Sequence, residues 1–287
     1  MLKTVITKTV TPTTIDIKHI TRKFFFVCLL HALGLYAYSQ CAMKNDGFQS
    51  GERVTYDLSF NWKFVWTKAG HATLSFDKID HESKPAYRID LIAVGNKRAD
   101  FFFKLRDTLT SVISERLEPI YFRKGAVEGK RYWVDEAFFT YNDGVSYVKQ
   151  KRTRDGQVKE YEGNDSRCIY DLLSVLAWAR SLNMEGYEAG DRIHIPVATG
   201  KRVEEQTLIF RGRETYKAEN EITYNCLVFS LVETKKGKEQ EVITFNVTDD
   251  LNRLPVRIDL SLSFGSAKAS MNEAVGSKYP FTSIVTE

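Results

Sequence analysis

The sequence predicts a mainly β fold in which a large curved antiparallel sheet packs around one central α-helix. Apolar and polar residues alternate along much of the chain, and short turn signals separate these stretches. One apolar segment instead has helical spacing. Because an apolar helix among strands needs a sheet to cover it, we expect a half-open barrel or a sandwich-like arrangement.

The predicted helix covers residues 168–183. Its apolar residues recur at helical spacing; they are Leu172, Val175, Leu176, Ala179 and Leu182. Three further apolar residues widen this surface, which predicts a buried helix; they are Leu173, Ala177 and Trp178. We expect Asp165 or Ser166 to cap the start of the helix, because short oxygen-bearing side chains accept hydrogen bonds from its first free N–H groups.

The remainder of the chain from Gly51 onward reads as successive strands. Residues 54–60 alternate strictly between apolar and polar types, the pattern of a strand with one solvated face. Residues 142–144 (Asn-Asp-Gly) and 154–156 (Arg-Asp-Gly) are hairpin signals. Short turns favour antiparallel pairing of consecutive strands. No Pro- or Gly-rich linker divides the region, so we expect one mostly-β domain over residues 40–287.

Residues 1–39 have the pattern of a secretory signal peptide. Lys18, Arg22 and Lys23 precede an apolar run from Phe24 to Leu35, and residues 37–39 (Ala-Tyr-Ser) offer small residues at the cleavage positions. The run is shorter than the roughly 20 residues that a membrane span needs. The sequence therefore predicts export to the periplasm or outer envelope. An uncleaved N-terminal anchor is the alternative.

Removal of residues 1–39 changes the charge of the chain. The whole sequence has 41 basic and 37 acidic residues, and residues 1–39 hold five of the former and one of the latter. The remaining chain has a formal charge of zero, which gives no support for binding nucleic acid or an anionic membrane. No second run is apolar enough to be a membrane helix, so we expect none in the mature chain.

Three cysteines remain after residue 39. Cys168 and Cys226 could form a disulfide in an oxidising compartment, and two buried free thiols are the alternative. Cys41 follows the predicted cleavage site. Gln40 precedes it where a lipoprotein has a small residue, which argues against lipidation of Cys41.

No catalytic, cofactor-binding or metal-binding residues are predicted. The sequence has no Gly-x-Ser-x-Gly elbow and no phosphate-binding glycine loop. The histidines after residue 39 lack a partner at the close spacing of zinc sites. Asp249, Asp250 and Asn252 lie together but lack the spaced pattern of a calcium loop.

Aromatic residues suggest a ligand pocket. A hydrophobic cavity inside a curved sheet could hold a lipid-like or other amphipathic molecule. The candidate lining residues are Trp62, Trp66, Trp133, Tyr170 and Trp178. A thick β core would explain the same aromatic residues, and periodicity does not separate the two interpretations.

Several phrases resemble the family called domain of unknown function 3108. They are residues 51–57 (Gly-Glu-Arg-Val-Thr-Tyr-Asp), 170–174 (Tyr-Asp-Leu-Leu-Ser), 255–258 (Pro-Val-Arg-Ile) and 265–269 (Gly-Ser-Ala-Lys-Ala). The resemblance extends from about Phe48 to Asn272. It implies an exported bacterial protein with a mainly β fold. The family has no established activity, so the resemblance transfers no catalytic residues.

The sequence favours non-catalytic binding of an apolar or amphipathic envelope ligand. One alternative is a structural or assembly partner of envelope proteins, acting through a sheet edge or exposed patch. Another is a hydrolase that uses two of the carboxylates Asp57, Asp171 and Asp250. That chemistry requires the two groups to lie about 5–10 Å apart in one pocket.

Overall fold

A single antiparallel sheet dominates the computed structural model, which describes residues 41–62, 65–100, 104–128, 131–235, 237–262 and 265–286. Within these residues the sheet has 14 strands and forms a nearly closed, barrel-like wall. The mainly β prediction is therefore confirmed. Gln40–Glu287 form one compact unit. Residues 1–39, with the predicted signal peptide, lie outside the described residues, so that prediction stays untested.

The strands are β1 (Glu52–Trp62), β2 (Val65–His81), β3 (Lys84–Gly95), β4 (Leu105–Ser114), β5 (Pro119–Glu128), β6 (Arg131–Asn142), β7 (Val145–Arg154), β8 (Gln157–Asp165), β9 (Arg192–Ala198), β10 (Val203–Lys217), β11 (Thr223–Lys235), β12 (Lys238–Thr248), β13 (Pro255–Leu262) and β14 (Gly265–Val275). The helices are α1 (Lys97–Asp100) and α2 (Leu172–Arg180).

Consecutive strands are neighbours through most of the sheet. The order is β8-β7-β6-β5-β4-β3-β2-β1-β14-β13-β12-β11-β10-β9. The first and last strands pair with each other in the middle, for example Arg53 with Val275. The edge strands β8 and β9 are joined by the segment that contains α2. This segment therefore bridges the two margins of the sheet.

Local sequence accounts for the strands and the tight turns. In β1 the side chains of Val54 and Tyr56 are buried, whereas the preceding Arg53 is exposed. This is the alternation that the sequence pattern predicts. At one predicted hairpin Asp143 and Gly144 have φ angles of 49° and 73°. Two successive residues with positive φ match the turn whose twist fits an antiparallel hairpin.

The sheet has two distinct ends. Because consecutive strands run in opposite directions, alternate connections lie at the same end. We call one the hairpin end; there β1 meets β2, β3 meets β4, β5 meets β6, and β13 meets β14. We call the other the helix end. It contains the start of β1, the turn from β2 to β3, and the segment with α2, whose Arg180 bonds to Glu52.

The two margins of the sheet contact each other. The backbone N–H of Gly200, between β9 and β10, donates to the side-chain oxygen of Gln150 on β7 at 2.7 Å. Gly163 on β8 faces Val203, and a Cβ atom at Gly163 would lie 2.6 Å from Val203 Cγ2. A glycine at position 163 therefore permits the close approach that nearly closes the wall.

The helix is shorter than predicted. It covers Leu172–Arg180 instead of 168–183. The preceding residues pair with the edge of the sheet instead, because Tyr170 N donates to Pro196 O and Ala198 N donates to Tyr170 O. The cap prediction is also wrong. Asp171 caps the helix and accepts hydrogen bonds from two of its first N–H groups.

The buried face of α2 matches the predicted one only at Leu173 and Ala177. Leu172 is 47% exposed. The buried positions are Leu173, Ser174, Ala177 and Arg180. Leu173 and Ala177 join the main core with residues of several strands. The spacing of apolar residues does not predict a buried arginine. Arg180 is nevertheless buried, because Glu52 neutralises its charge.

Candidate functional site

An open groove of about 340 Å³ lies beside the start of α2 and the edge strand β9. We call it the Tyr170 groove. Its volume is at the lower end of the range typical of small-molecule sites. It is lined by Ser166, Arg167, Cys168, Tyr170, Trp178, His194, Ile195 and Pro196.

Two aromatic rings form the apolar wall of the Tyr170 groove. The rings of Tyr170 and Trp178 have centroids 5.5 Å apart and are tilted by 40°. The backbone of Tyr170 is fixed by its bridge to β9, and Trp178 is fixed by its place on α2. Burial raises the pKa of the Tyr170 phenol above its ordinary value. The phenol therefore stays protonated at neutral pH and can donate a hydrogen bond.

Charged groups border the other side of the groove. Arg167 donates to Asp165 and to Glu205, both at 2.9 Å. These hydrogen bonds raise the pKa of the Arg167 guanidinium, and the bond from Arg167 lowers the pKa of Asp165. His194 Nδ1 lies 3.4 Å from Glu205. The groove therefore joins an apolar wall to an ion-paired, solvent-exposed border.

A disulfide forms part of the same wall, and it is not the predicted one. Cys168 pairs with Cys41, with 5.0 Å between their Cα atoms, whereas Cys226 is a buried free thiol. Cys226 lies within β11 in the main core, and Cys168 packs in a second cluster that includes Cys41. The bond uses the sulfur of Cys41, so this arrangement is incompatible with a lipid on that atom. The disulfide ties the N-terminal segment to the start of α2.

The other predicted pocket residues lie elsewhere. Trp62 ends β1, and its side chain lies outside the described residues. Trp66 on β2 is 45% exposed, with Lys268 Nζ 5.2 Å from its ring centroid. Trp133 is near the start of β6, with Lys124 Nζ 5.6 Å from its ring centroid.

The five aromatic residues therefore divide into two groups. Glu52 starts β1 beside Arg180, and Trp62 ends it. The intervening strand has a length of about 30 Å. The structure brings Tyr170 and Trp178 together, and it places Trp62, Trp66 and Trp133 at the hairpin end.

The three candidate hydrolase carboxylates hydrogen-bond to different partners. Asp171 is buried, caps α2 and accepts a hydrogen bond from Ser111 Oγ at 2.9 Å. Asp57 pairs with Lys68 at 2.8 Å.

The third carboxylate, Asp250, accepts bonds from Thr248 Oγ1 and Ser283 Oγ and from a backbone N–H within its own turn. Each of the three therefore supports its local structure.

The groove also contains residues that sequence reasoning did not select. Arg167, His194 and Pro196 come from opposite sides of the helical segment, and the fold alone joins them. The sequence contained a partial signal, because Tyr170 and Trp178 are aromatic residues eight positions apart in one apolar stretch.

Within the described ranges, no three side chains of His, Cys, Asp or Glu are grouped to hold a metal ion. No helix in the same part of the chain is long and apolar enough to span a membrane.

A nearly closed antiparallel wall with a helix across one end and a groove at its margin defines a mainly β, barrel-like protein. Residues 55–272 match the family described as Protein of unknown function (DUF3108). The chain belongs to that family, as its sequence phrases indicated.

A solved structure has a similar fold. It is the crystal structure of a beta-barrel-like protein of domain of unknown function DUF1849 from Brucella abortus. The two share 11% sequence identity with a TM-score of 0.53, and the match covers 78% of this chain and 96% of the other. At this identity the likeness shows the fold alone. None of the curated proteins compared with the chain matches it.

Proposed function

We propose that this protein binds a small amphipathic molecule of the cell envelope in the Tyr170 groove, without catalysing a reaction. The observation that carries the proposal is the contrast between the two sides of the groove. Tyr170 and Trp178 supply two adjacent aromatic rings, and Arg167 supplies a half-exposed guanidinium at the border. Small-molecule sites commonly combine a mostly apolar lining with a few polar groups that orient the ligand.

The predicted ligand has an apolar part and a polar head. Its apolar part would lie against Tyr170, Trp178 and Pro196. Its head would face Arg167 and His194, where guanidinium and imidazole groups can donate hydrogen bonds. Because Asp165 and Glu205 offset the charge of Arg167, a zwitterionic or weakly anionic head fits better than a multiply charged one.

The proposed envelope location rests on two features. The first 39 residues have the pattern of an export signal. The Cys41–Cys168 disulfide suits an oxidising compartment outside the cytoplasm. Cleavage after Ser39 would make Cys41 the second residue of the mature chain.

Native mass spectrometry of protein purified from its own envelope tests the proposal. We expect a bound small molecule in the native protein and its loss in the Trp178→Ala and Arg167→Gln variants. Tyr147→Ala is the matched control, because Tyr147 is an exposed aromatic residue on β7 outside the groove. A native protein without a ligand, or equal retention by all variants, would contradict binding in this groove.

A further inference from the structure

Exposed apolar side chains lie at both ends of the sheet, and those at the hairpin end include a tryptophan and a tyrosine. Val65 and Trp66 at the start of β2 are 63% and 45% exposed. Tyr132 at the start of β6 is 54% exposed. These residues belong to separate hairpins on one continuous sheet. Their exposure leaves Trp and Tyr rings accessible on that end of the protein.

Basic residues accompany these side chains. Lys97, Lys104 and Arg131 are exposed at the same end. Among the described residues, Lys97 and Arg131 form no ion pair, and Asp100 is engaged by Arg106 at 2.5 Å. Lys97 and Arg131 therefore present positive charge that no carboxylate in the described part of this end neutralises.

One segment at the opposite end is acidic. Between α2 and β9, Glu185, Glu188 and Asp191 are exposed, and residues 183–191 contain no lysine or arginine. A formal charge of zero after residue 39 is therefore compatible with a local basic surface at the hairpin end. This distribution removes the reason that net charge alone gave against an anionic surface.

We propose that the hairpin end docks on the surface of a bilayer that contains anionic lipids. Trp and Tyr rings are favoured at the boundary between head groups and hydrocarbon. Lysine and arginine near such a surface are attracted by anionic head groups. Trp66, Tyr132, Lys97 and Arg131 supply both types of contact at one end of the sheet.

The docking surface is distinct from the Tyr170 groove. Trp66 and Tyr132 lie at the hairpin end, and Trp178 lies on α2 at the helix end. A bilayer partner fits better than a nucleic acid because the aliphatic side chain of Val65, 63% exposed beside Trp66, favours hydrocarbon and does not stack on bases. The proposal therefore does not rest on ligand binding in the groove.

Vesicle co-sedimentation of the purified full chain provides the test. We expect binding to vesicles of phosphatidylglycerol and phosphatidylcholine mixed at about 1 to 2, weak binding to phosphatidylcholine alone, and a decline with added salt. Trp66→Ala/Tyr132→Ala should weaken binding at least about fivefold. Lys97→Glu/Arg131→Glu should weaken it at least about tenfold.

Matched variants at the helix end show whether vesicle binding depends on the hairpin end or only on net charge and the number of exposed rings. Lys84→Glu/Lys217→Glu makes the same change of net charge at exposed positions there, and Tyr147→Ala removes an exposed ring. Both should bind vesicles within about twofold of the native protein. Circular dichroism should show that all variants are folded. Equal binding to both vesicle types, or equal losses at the two ends, would overturn the proposal.

Trp178→Ala distinguishes the two proposals. It should remove the groove ligand and leave vesicle binding unchanged. Loss of vesicle binding in a folded Trp178→Ala protein would contradict docking through the hairpin end.

Discussion

Arg180 and Glu52 form a bidentate ion pair with both side chains buried in the protein interior. The two N–O distances are 2.5 and 3.0 Å. The guanidinium also donates to the backbone oxygens of Asn252 and Gly47, and it lies 5.0 Å from the ring centroid of Phe76. One side chain of α2 thus holds the start of β1, the N-terminal segment and the connection from β12 to β13.

Loss of one partner of this pair should destabilise the fold. Glu52→Met leaves a buried guanidinium without its carboxylate, and we expect the free energy of unfolding to fall by about 3–5 kcal/mol. Glu52→Met/Arg180→Met should cost less than the sum of the two single changes, because neither charge is then left unpaired. Urea unfolding of the single and double variants measures the difference.

An exposed pair provides the matched control. Arg192 and Glu239 also form a bidentate pair, but their side chains are 44% and 48% exposed. We expect Glu239→Met to change the free energy of unfolding by less than about 1 kcal/mol. Similar losses at the two sites would show that burial does not set the strength of the Arg180–Glu52 contact.

Local sequence patterns predicted the strands and the presence of a helix, because alternation and helical spacing depend on near neighbours. They did not predict where α2 begins. Tyr170 pairs with Pro196 and Ala198 on β9, a contact that no local pattern contains. They also left Arg180 out of the buried face, because the partner that permits its burial is 128 residues away.

The sequence predicted only part of the candidate site, because some of its residues are distant from one another in the chain. Tyr170 and Trp178 lie in one apolar stretch and were identified, whereas Arg167 and His194 meet only in the folded chain. Trp62 and Trp66 share the aromatic character of the groove residues. Their positions at the hairpin end depend on strand length and register, which composition does not reveal.

The Cys41–Cys168 disulfide should contribute strongly to stability. It links residues separated by 127 positions. In the chain-entropy model a loop of this length corresponds to about 4–5 kcal/mol. We expect Cys41→Ser/Cys168→Ser to lower the free energy of unfolding by an amount of that order, measured by urea unfolding without reductant.

Peptide mapping without reduction checks the pairing directly. The peptide with Cys41 should remain joined to the peptide with Cys168 in the native protein and in Cys226→Ser, which is the control. A Cys168–Cys226 peptide in the native protein would disprove the arrangement described here.

Cys226 should be inert towards alkylation in the folded state. The residue is fully buried, and burial raises the pKa of its thiol to about 12, with smaller contributions from Glu214 and Asp249. Because the thiolate is the reactive form, we expect iodoacetamide at pH 8 to react at least about 100-fold more slowly than in denaturant. Mass spectrometry of the peptide with Cys226 follows the reaction. Equal rates in the two conditions would show that the thiol is accessible.

Asp171 should make stability depend on pH. Burial raises the pKa of this carboxyl above 3.8, although hydrogen bonds from Ser174 and Ser111 act in the opposite direction. The folded state therefore holds the proton more tightly than the unfolded state. The resulting stabilisation is fully present below about pH 3.8 and is lost as the pH rises through the folded pKa.

Comparison of two variants isolates this effect from other carboxylates. Asp171→Asn keeps a side-chain oxygen to cap α2 but does not ionise, so its free energy of unfolding relative to the native protein should rise between pH 4 and pH 8. Asp171→Ala removes the cap and should lose about 1–2 kcal/mol. Urea unfolding at several pH values measures both. A relative stability of Asp171→Asn that falls with rising pH would mean that the N–H groups of α2 favour the ionised carboxylate and lower its pKa.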